Sequence, residues 1–506
     1  MANSFDFEIL KEAFPDASLY CGELTGNFRF LSVDSRAVKA DDGFVAVRGL
    51  KLDGRAYIES AVTNGAKLIF CEKDELDESN LKICIEQNIT TILINDLYSK
   101  LSALGAVVFQ NEKQRLSIVG VTGTNGKSST VQMLAQALHL LEGCCWTLGT
   151  LGVGPFGTQK QNENTTADAI TIQQELFKAR TAGCSNVAME VSSHGLVQKR
   201  VDSVPFEFAI FTNLSRDHLD YHGTMEDYFA AKRELFLFKA LQHAIINIDD
   251  KYGKKLKKDR EIKAQKWFIS LQEPLEGADL SQWVWIDNVR LTLSGIHATV
   301  YSPWGKGQLS VAIVGRFNLY NLLSVITVLG IRLKNIDAVL QVVNQLHSVT
   351  GRMQLLSKES CPLVIVDYAH SPDALEQALR ATREHCSGKV FTVFGCGGDR
   401  DPGKRQLMAR VAEKLSNQVI FTDDNPRTEE PTSIIEDMRE GLKKPDAVKY
   451  IASRESAIRF AIEKASEKDV VLIAGKGHES YQVIGNKKLE FSDVKVAESV
   501  MTEFAA

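Results

Sequence analysis

The sequence predicts an α/β protein of about three domains, and three observations predict it. The chain has 506 residues, roughly three domains at ~150 residues each. Short β-branched runs alternate with amphipathic stretches along its whole length, the pattern of largely parallel sheets covered by helices. One of those runs passes through a glycine-rich turn into a helix, an arrangement that presents backbone N–H groups to phosphate. Hydrophobic residues at 44% and charged residues at 24% are the composition of a globular protein. Acidic side chains outnumber basic ones, 64 to 59, for a net charge of -5. That balance argues against a general nucleic-acid binder and leaves room for a local basic pocket.

The elements follow in order. The start, MANSFDFEILKEAF, has neither a basic nor an apolar signal region, so no secretory signal is expected and a cytoplasmic location is. No run approaches the ~18 apolar residues of a membrane span. Strands are predicted at 43–49, 67–72, 116–123, 186–192 and 208–214, then at 243–249, 363–369, 389–395, 418–424 and 469–475. Helices are predicted at 128–141 and 371–385. Turn residues divide the chain into 1–95, 96–348 and 349–506, and the stretch 282–315 reads as an antiparallel meander at the edge of the middle piece. Nine cysteines form no C-x-x-C pair, and Cys144 and Cys145 are adjacent, so buried free thiols are expected rather than a zinc site or a disulfide framework.

The segment SIVGVTGTNGKSST (117–130) is the strongest local signal. Gly120, Gly123 and Gly126 let the backbone turn so that its N–H groups converge on phosphate oxygens. Lys127 then neutralises phosphate charge, and the Ser128 hydroxyl can ligate Mg²⁺. The strict G-x-x-x-x-G-K-[ST] spacing fails, because position 121 is Val and the first glycine lies one residue earlier. The residues therefore predict ATP or GTP binding and leave the reaction open.

Two neighbouring strands end in polar groups. Glu190, Ser192, Ser193 and His194 follow one of them, and Asn213, Asp217, His218, Asp220 and His222 follow the next. Open α/β sheets bind ligands at strand C-termini, and a carboxylate there is the natural second anchor for nucleotide-bound Mg²⁺, a role that Glu190 fits. Lys232 shares a helical face with Tyr228, Leu235 and Phe236, and on spacing alone it reads as a lysine that snorkels to solvent. In the last third, DYAHSPD (367–373), GCGGDRDPGKR (395–405), DDNPRTEEP (423–431) and AGKGHESYQ (474–482) also end strands. Their Arg400, Arg405, Arg427, Lys476, His478 and Glu479 suggest a small ligand carrying both signs of charge, with Arg400 and Arg427 suited to carboxylates. Neither GCGG nor GKG matches the dinucleotide pattern G-x-G-x-x-G.

Taken together, VDSR (33–36), GVTGTNGKSS (120–129), NTT (164–166), EVSSHGLVQKR (190–200), TNLSRDHLDYHG (212–223), AAK (230–232), GRFNLYN (315–321), GRMQ (351–354), DYAHSPD, GCGGDRD, DNPR and GKGHE resemble the Mur ligase family, the ATP-dependent amide ligases of peptidoglycan precursor assembly. Within it the chain is most similar to the branch that adds the third amino acid. The resemblance implies a small N-terminal α/β domain for the UDP-sugar, a central P-loop ATPase α/β domain and a C-terminal Rossmann-like domain. It implies that Val33, Ser35 and Leu50-Lys51-Leu52 meet the uridine diphosphate end, and that Asn164, Thr165, Thr166, Ser192, Gln198 and Arg200 meet the rest of UDP-N-acetylmuramoyl-L-alanyl-D-glutamate. It places ATP on Gly123, Thr124, Asn125, Gly126, Lys127, Ser128 and Ser129, with Asn321, Arg352 and Asp367 reaching the nucleotide, and Mg²⁺ on Ser128, Glu190, His218 and Lys232. Lys232 aligns with a lysine that the family carbamylates, which reverses the snorkelling reading, since a carbamate is an anion that can help hold the metal. Lys127, Lys232 and His218 are thereby the expected catalytic residues.

Arg400, Asp424, Asn425, Pro426, Arg427, Gly475 and Glu479 match the pocket for meso-diaminopimelate. The implied reaction passes through an acyl phosphate, with no nucleic-acid partner and a monomer expected. A folylpolyglutamate synthase-like ligase would share the ATP site without VDSR or DNPR; a P-loop kinase or GTPase would need no amino acid. The chain departs from the family at Ala167, where Pro is usual after Thr165-Thr166, and at Ser128-Ser129, where the family has two threonines; the serines keep the hydroxyls.

Overall fold

A computed structural model of the chain describes residues 3–49, 52–109, 115–161 and 164–504. The chain falls into two compact units, Met1–Phe268 and Ile269–Ala506.

The first unit contains two main sheets. Its N-terminal sheet runs Ser18–Cys21, Thr90–Ile94, Leu68–Glu72, Gly43–Ala46, Leu31–Ser32, parallel except at the first strand. Side-chain alternation divides its core between the two faces: Val45, Leu68, Phe70, Ile92 and Ile94 pack on one, Phe44, Ala46, Ile69, Cys71 and Leu93 on the other. Both faces are buried, which is why these strands read as unbroken apolar runs. The second sheet has the order Gly152–Pro155, Trp146–Gly149, Asn186–Glu190, Ser117–Thr122, Phe208–Phe211, His243–Asn247, Gln265–Ser270. Helix Lys127–Glu142 leaves Ser117–Thr122, so the phosphate turn sits at the carboxyl end of a strand flanked by Asn186–Glu190 and Phe208–Phe211.

The second unit holds the antiparallel meander Trp283–Thr292, Gly295–Ser302, Gly305–Val311, as the stretch 282–315 predicts. Its main sheet runs Gln354–Leu356, Leu363–Asp367, Val470–Ala474, Val390–Phe394, Gln418–Phe421, Lys449–Tyr450, with only the first strand antiparallel. Ile365, Leu472 and Phe394 face one apolar cluster, Val366, Ile473 and Val393 the other, as in a doubly wound Rossmann-like sheet.

All ten predicted strands are present; Leu68–Glu72 ends where the apolar run suggests, and the other nine end one to three residues earlier, because the closing polar residues turn into loops. The two predicted helices appear as Lys127–Glu142 and Pro372–His385. The thiol expectation needs correction: Cys144 and Cys184 form a disulfide, their Cα atoms 5.4 Å apart. Sequence spacing could not show this, since the strand order brings the end of one helix beside the loop that enters Asn186–Glu190. The other seven cysteines are free, and six of them are buried.

Candidate active site

The phosphate turn is held by backbone geometry that glycine makes possible. Gly126 caps the helix with φ at 86°, and a Cβ on Gly123 would stand 1.9 Å from Thr212 Oγ1. The loop after Phe208–Phe211 clamps the turn. Asn125 N–H donates to Asn213 Oδ1 at 3.0 Å, Thr124 N–H donates to the Asn213 carbonyl at 2.9 Å, and Thr212 Oγ1 donates to the Asn125 carbonyl at 2.6 Å. Lys127 Nζ donates to the carbonyls of Gly123 (2.9 Å) and Thr124 (2.8 Å).

Lys232 does not snorkel. Helix Met225–Arg233 points it inward beside Tyr228, and only 1% of it is exposed. Its Nζ donates to the Gly123 carbonyl at 2.9 Å and lies 4.7 Å from the Tyr228 ring centroid. Two lysines thus share one carbonyl. Burial, reinforced by the Lys127 charge and opposed by Asp217, holds the Lys232 ammonium well below its ordinary value of 10.5. Burial thus favours the free amine, which is the nucleophilic form of a lysine.

Glu190 is buried to 1% and stands at the end of the adjoining strand. Its carboxylate accepts from Ser128 Oγ (3.0 Å), Thr150 N (2.8 Å) and Thr150 Oγ1 (3.2 Å). Gly149 makes the approach possible, since a Cβ there would come 2.3 Å from Glu190 Oε1. Thr150 is absent from the sequence-based expectations; its place at the end of Trp146–Gly149 was the available signal. His218 has φ at 53° in the left-handed region, a half-exposed side chain and its Nε2 3.5 Å from Asp217 Oδ2. Its ring lies 5.0 Å from that of His194. Among the described residues no cluster of three or more His, Cys, Asp and Glu side chains is set for a metal ion. The expected set contains only two such residues, and the fit depends on chemistry. Ser128 and Glu190 offer hard oxygens, which suit Mg²⁺, whereas Lys232 as an amine does not and as a carbamate would.

The residues expected along the muramoyl dipeptide gather beside Glu190. Thr166 Oγ1 donates to the Glu190 carbonyl (3.0 Å) and accepts from Ser192 N (2.9 Å), while the Thr166 carbonyl accepts from Arg200 Nη1 (2.6 Å). Arg200 also donates through Nε to Gln198 Oε1 at 3.0 Å, and Thr165 Oγ1 accepts from Thr150 Oγ1 at 3.2 Å. The strand of bonds through Thr166 ties down the loop that carries Ala167, which is itself buried. Asn164 is exposed. In the N-terminal sheet, Val33 and Ser35 follow Leu31–Ser32; Ser35 is buried and Leu52 is 67% exposed, while Leu50 and Lys51 lie outside the described residues.

In the second unit, Asn321 is buried on helix Asn318–Leu333 and its Nδ2 donates to Asn318 Oδ1 at 2.8 Å. Arg352 stacks over Tyr368, its Cζ 4.9 Å from the ring centroid, and Asp367 Oδ2 accepts from Met353 N at 2.7 Å. Burial pushes the Asp367 carboxyl up, against the pull of these backbone donors and Arg352.

Loops after Val390–Phe394, Gln418–Phe421 and Val470–Ala474 bring Asp424, Asn425, Pro426, Arg427, Gly475 and Glu479 together. Arg427 takes φ at 54°, and the backbone of the hairpin Tyr481–Ile484, Lys487–Glu490 holds it there. Arg427 N donates to the Val483 carbonyl (3.1 Å), and Gly485 N donates to the Arg427 carbonyl (2.7 Å). Its Nη1 donates to the Gly398 carbonyl at 2.6 Å, and a Cβ on Gly397 would reach that nitrogen at 2.9 Å. Arg400 is exposed. Arg405 and Lys476, grouped above with the ligand-facing charges, are internal instead: Arg405 is 2% exposed and bridges Glu429 and Asp437, and Lys476 is fully buried. Chain position alone could not separate inward from outward cations on these loops.

No helix among the described residues is long and apolar enough to cross a membrane. The chain matches three family descriptions in succession: "Mur ligase family, catalytic domain" over residues 27–106, "Mur ligase middle domain" over 121–329, and "Mur ligase, glutamate ligase domain" over 351–477. It is 42% identical over 485 residues to the UDP-N-acetylmuramoyl-L-alanyl-D-glutamate–2,6-diaminopimelate ligase of Pseudomonas putida, covering 94% of this chain and 96% of that one. It is 44% identical over 475 residues to the ligase of the same name from Haemophilus influenzae, covering 92% and 94%. A solved structure of a ligase of that name superposes with a TM-score of 0.73 at 32% identity, over 99% of this chain and 100% of the other. The chain belongs to the Mur ligase family.

Proposed function

We propose that the chain is an ATP-dependent acid–amino-acid ligase that joins meso-2,6-diaminopimelate to UDP-N-acetylmuramoyl-L-alanyl-D-glutamate. One observation carries the reading. A phosphate turn lies between two lysines and a Ser128–Glu190 pair, with the Thr166–Ser192–Arg200 cluster adjoining, in a chain that shares 42% identity over 94% of its length with a ligase named for this reaction.

In this mechanism the γ-carboxylate of the D-glutamate attacks the γ-phosphorus of ATP, giving an acyl phosphate and ADP. The neutral amine of diaminopimelate then attacks the acyl carbon, and inorganic phosphate leaves. The N–H groups of Gly123 to Ser129 and the Lys127 ammonium stabilise charge on the transferred phosphoryl group. Lys127 must exchange its carbonyl partners for phosphate oxygens, a short movement from a position already at the turn. Asn321, Arg352 and Asp367 serve ATP, and Val33, Ser35 and the 50–52 segment the uridine diphosphate.

Mg²⁺ would be held by Ser128, Glu190, His218 and a carbamylated Lys232; when bound, it neutralises phosphate charge as a Lewis acid. Carbamylation joins the Lys232 nitrogen to CO₂ and releases one proton, and the depressed ammonium supports it because the reacting form is the free amine. Arg427 and Arg400 would take carboxylates of the amino acid, and Glu479 an ammonium. The division at 1–95, 96–348 and 349–506, action as a monomer and a cytoplasmic location belong to the same proposal; three family matches in succession support the division. The test is phosphate release with ATP and the UDP-muramoyl dipeptide, adding candidate amino acids in turn. Release that depends on diaminopimelate is expected; release with no amino-acid dependence would defeat the reading.

A further inference from the structure

A fully buried lysine in the second unit has no role in the mechanism above. Lys476 follows the strand Val470–Ala474, and its side chain is 0% exposed. A buried ammonium without partners is costly, so its neighbours define what it does. Its Nζ donates to Asn425 Oδ1 at 3.0 Å and to Glu479 Oε2 at 3.2 Å, and it stands 3.9 Å from Asp424 Oδ1. Asn425 Nδ2 donates to the same Glu479 Oε2 at 3.0 Å, and Asn425 Oδ1 also accepts from Val483 N at 2.9 Å. Lys476 therefore closes a ring that joins the 424–427 loop, Glu479 and the hairpin at 481–490. Beneath it, Arg454 is pinned by Asp493 at 2.7 Å and faces Asp424 at 3.8 Å, so the ring rests on a buried base.

The consequence is directional. Two donors meet at Glu479 Oε2, which restrains the orientation of the carboxylate. Asn425 is fixed by the same contacts, and the residue two positions on is Arg427, whose backbone the hairpin holds in the left-handed region. We propose that Lys476 is a positioning residue of the amino-acid pocket, holding Glu479 and Asn425 in register so that an ammonium and a carboxylate on one ligand are met together. The inference rests on the ligase reading, with the pocket taking an amino acid.

The experiment uses the full chain. Ligation is measured with diaminopimelate varied at saturating ATP and UDP-muramoyl dipeptide, and then with the dipeptide varied. Hydroxylamine trapping of the acyl phosphate, with no amino acid present, reports the first half-reaction. Loss of a charged donor to Glu479 predicts a KM for diaminopimelate about ten- to a hundredfold higher in Lys476→Met. The dipeptide KM should stay within about twofold. Glu479→Gln should raise the diaminopimelate KM comparably, and the double variant should be no worse than the poorer single one, since Lys476 acts through Glu479. Lys476→Gln keeps a neutral donor and should fall between, which covers the case of a methionine variant that does not fold. An unchanged diaminopimelate KM, equal rises in both KM values, or additive effects in the double variant would overturn the positioning role. Absence of hydroxamate from the unaltered chain would bring down the ligase reading, and this inference with it.

Discussion

Replacing Lys232 separates packing from chemistry at one position. Lys232→Ala removes three methylenes and the amine from a site that is 1% exposed. At about 0.8 kcal/mol per buried methylene, the transfer loss is about 2 to 3 kcal/mol. Lys232→Met refills most of that volume and removes an amine whose charged form burial opposes, so its cost should be about 1 kcal/mol or less. The two variants should nonetheless share one catalytic defect. If the working form of Lys232 is an anion beside the phosphate turn, losing it should lower kcat by roughly a hundred- to a thousandfold, or about 2.7–4 kcal/mol. Phosphate release gives the rates, and urea unfolding gives the stabilities. Short carboxylates should partly restore Lys232→Ala, where the vacated stem leaves room, and should not restore Lys232→Met, where the side chain fills it. Full activity in Lys232→Met or Lys232→Arg would refute the reasoning, because neither can carry a carbamate.

The same residue predicts a pH dependence in CO₂-depleted buffer. Lys232 is a base whose folded-state value lies well below 10.5, so between the two values the unfolded chain binds a proton that the folded chain does not. Stability gained from this group therefore rises with pH through that window and levels off above it. The stability of the unaltered chain relative to Lys232→Met should increase from neutral pH toward about pH 10. A constant difference would show that the buried amine keeps its proton.

Four further outcomes follow from the geometry. Lys127→Ala should abolish phosphate release, since Lys127 Nζ sits on the carbonyls of the phosphate turn; near-normal ligation would mean the turn has been misread. Glu190→Gln keeps the shape of the buried side chain and should raise the Mg²⁺ concentration for half-maximal rate by about tenfold or more; a magnesium titration checks it. Arg427→Ala should lose most of the preference for meso-diaminopimelate over lysine, about 2–4 kcal/mol in relative kcat/KM; similar kcat/KM values for the two amino acids in the unaltered chain would sink that assignment. Arg454→Met strands the fully buried Asp493 carboxylate and should cost about 3–5 kcal/mol by urea unfolding. A loss under about 1 kcal/mol would show that the pair contributes little.

The sequence by itself determined the elements and the chemistry on offer. Apolar runs flanked by amphipathic stretches can be buried only as strands covered on both faces, and the alternation of Leu68, Phe70 against Ile69, Cys71 follows from the twofold pleat. Gly123, Gly126 and Lys127 had to form a turn because the steric freedom is local to those residues. What tertiary structure decided was direction and partnership. The amphipathic pattern placed Lys232 on an apolar face, but only the approach of the 123–126 turn brought its side-chain nitrogen to the Gly123 carbonyl. Thr150 meets Glu190 because two strands far apart in the chain are neighbours in the sheet, and Cys144 meets Cys184 for the same reason. Lys476, Arg405 and Arg427 look alike as loop cations. Which of them is sealed inside depends on carboxylates met in the fold, such as Asp437, 32 residues from Arg405, and Glu479, three from Lys476. Electrostatic partners are chosen in space, so no reading of local pattern could assign them.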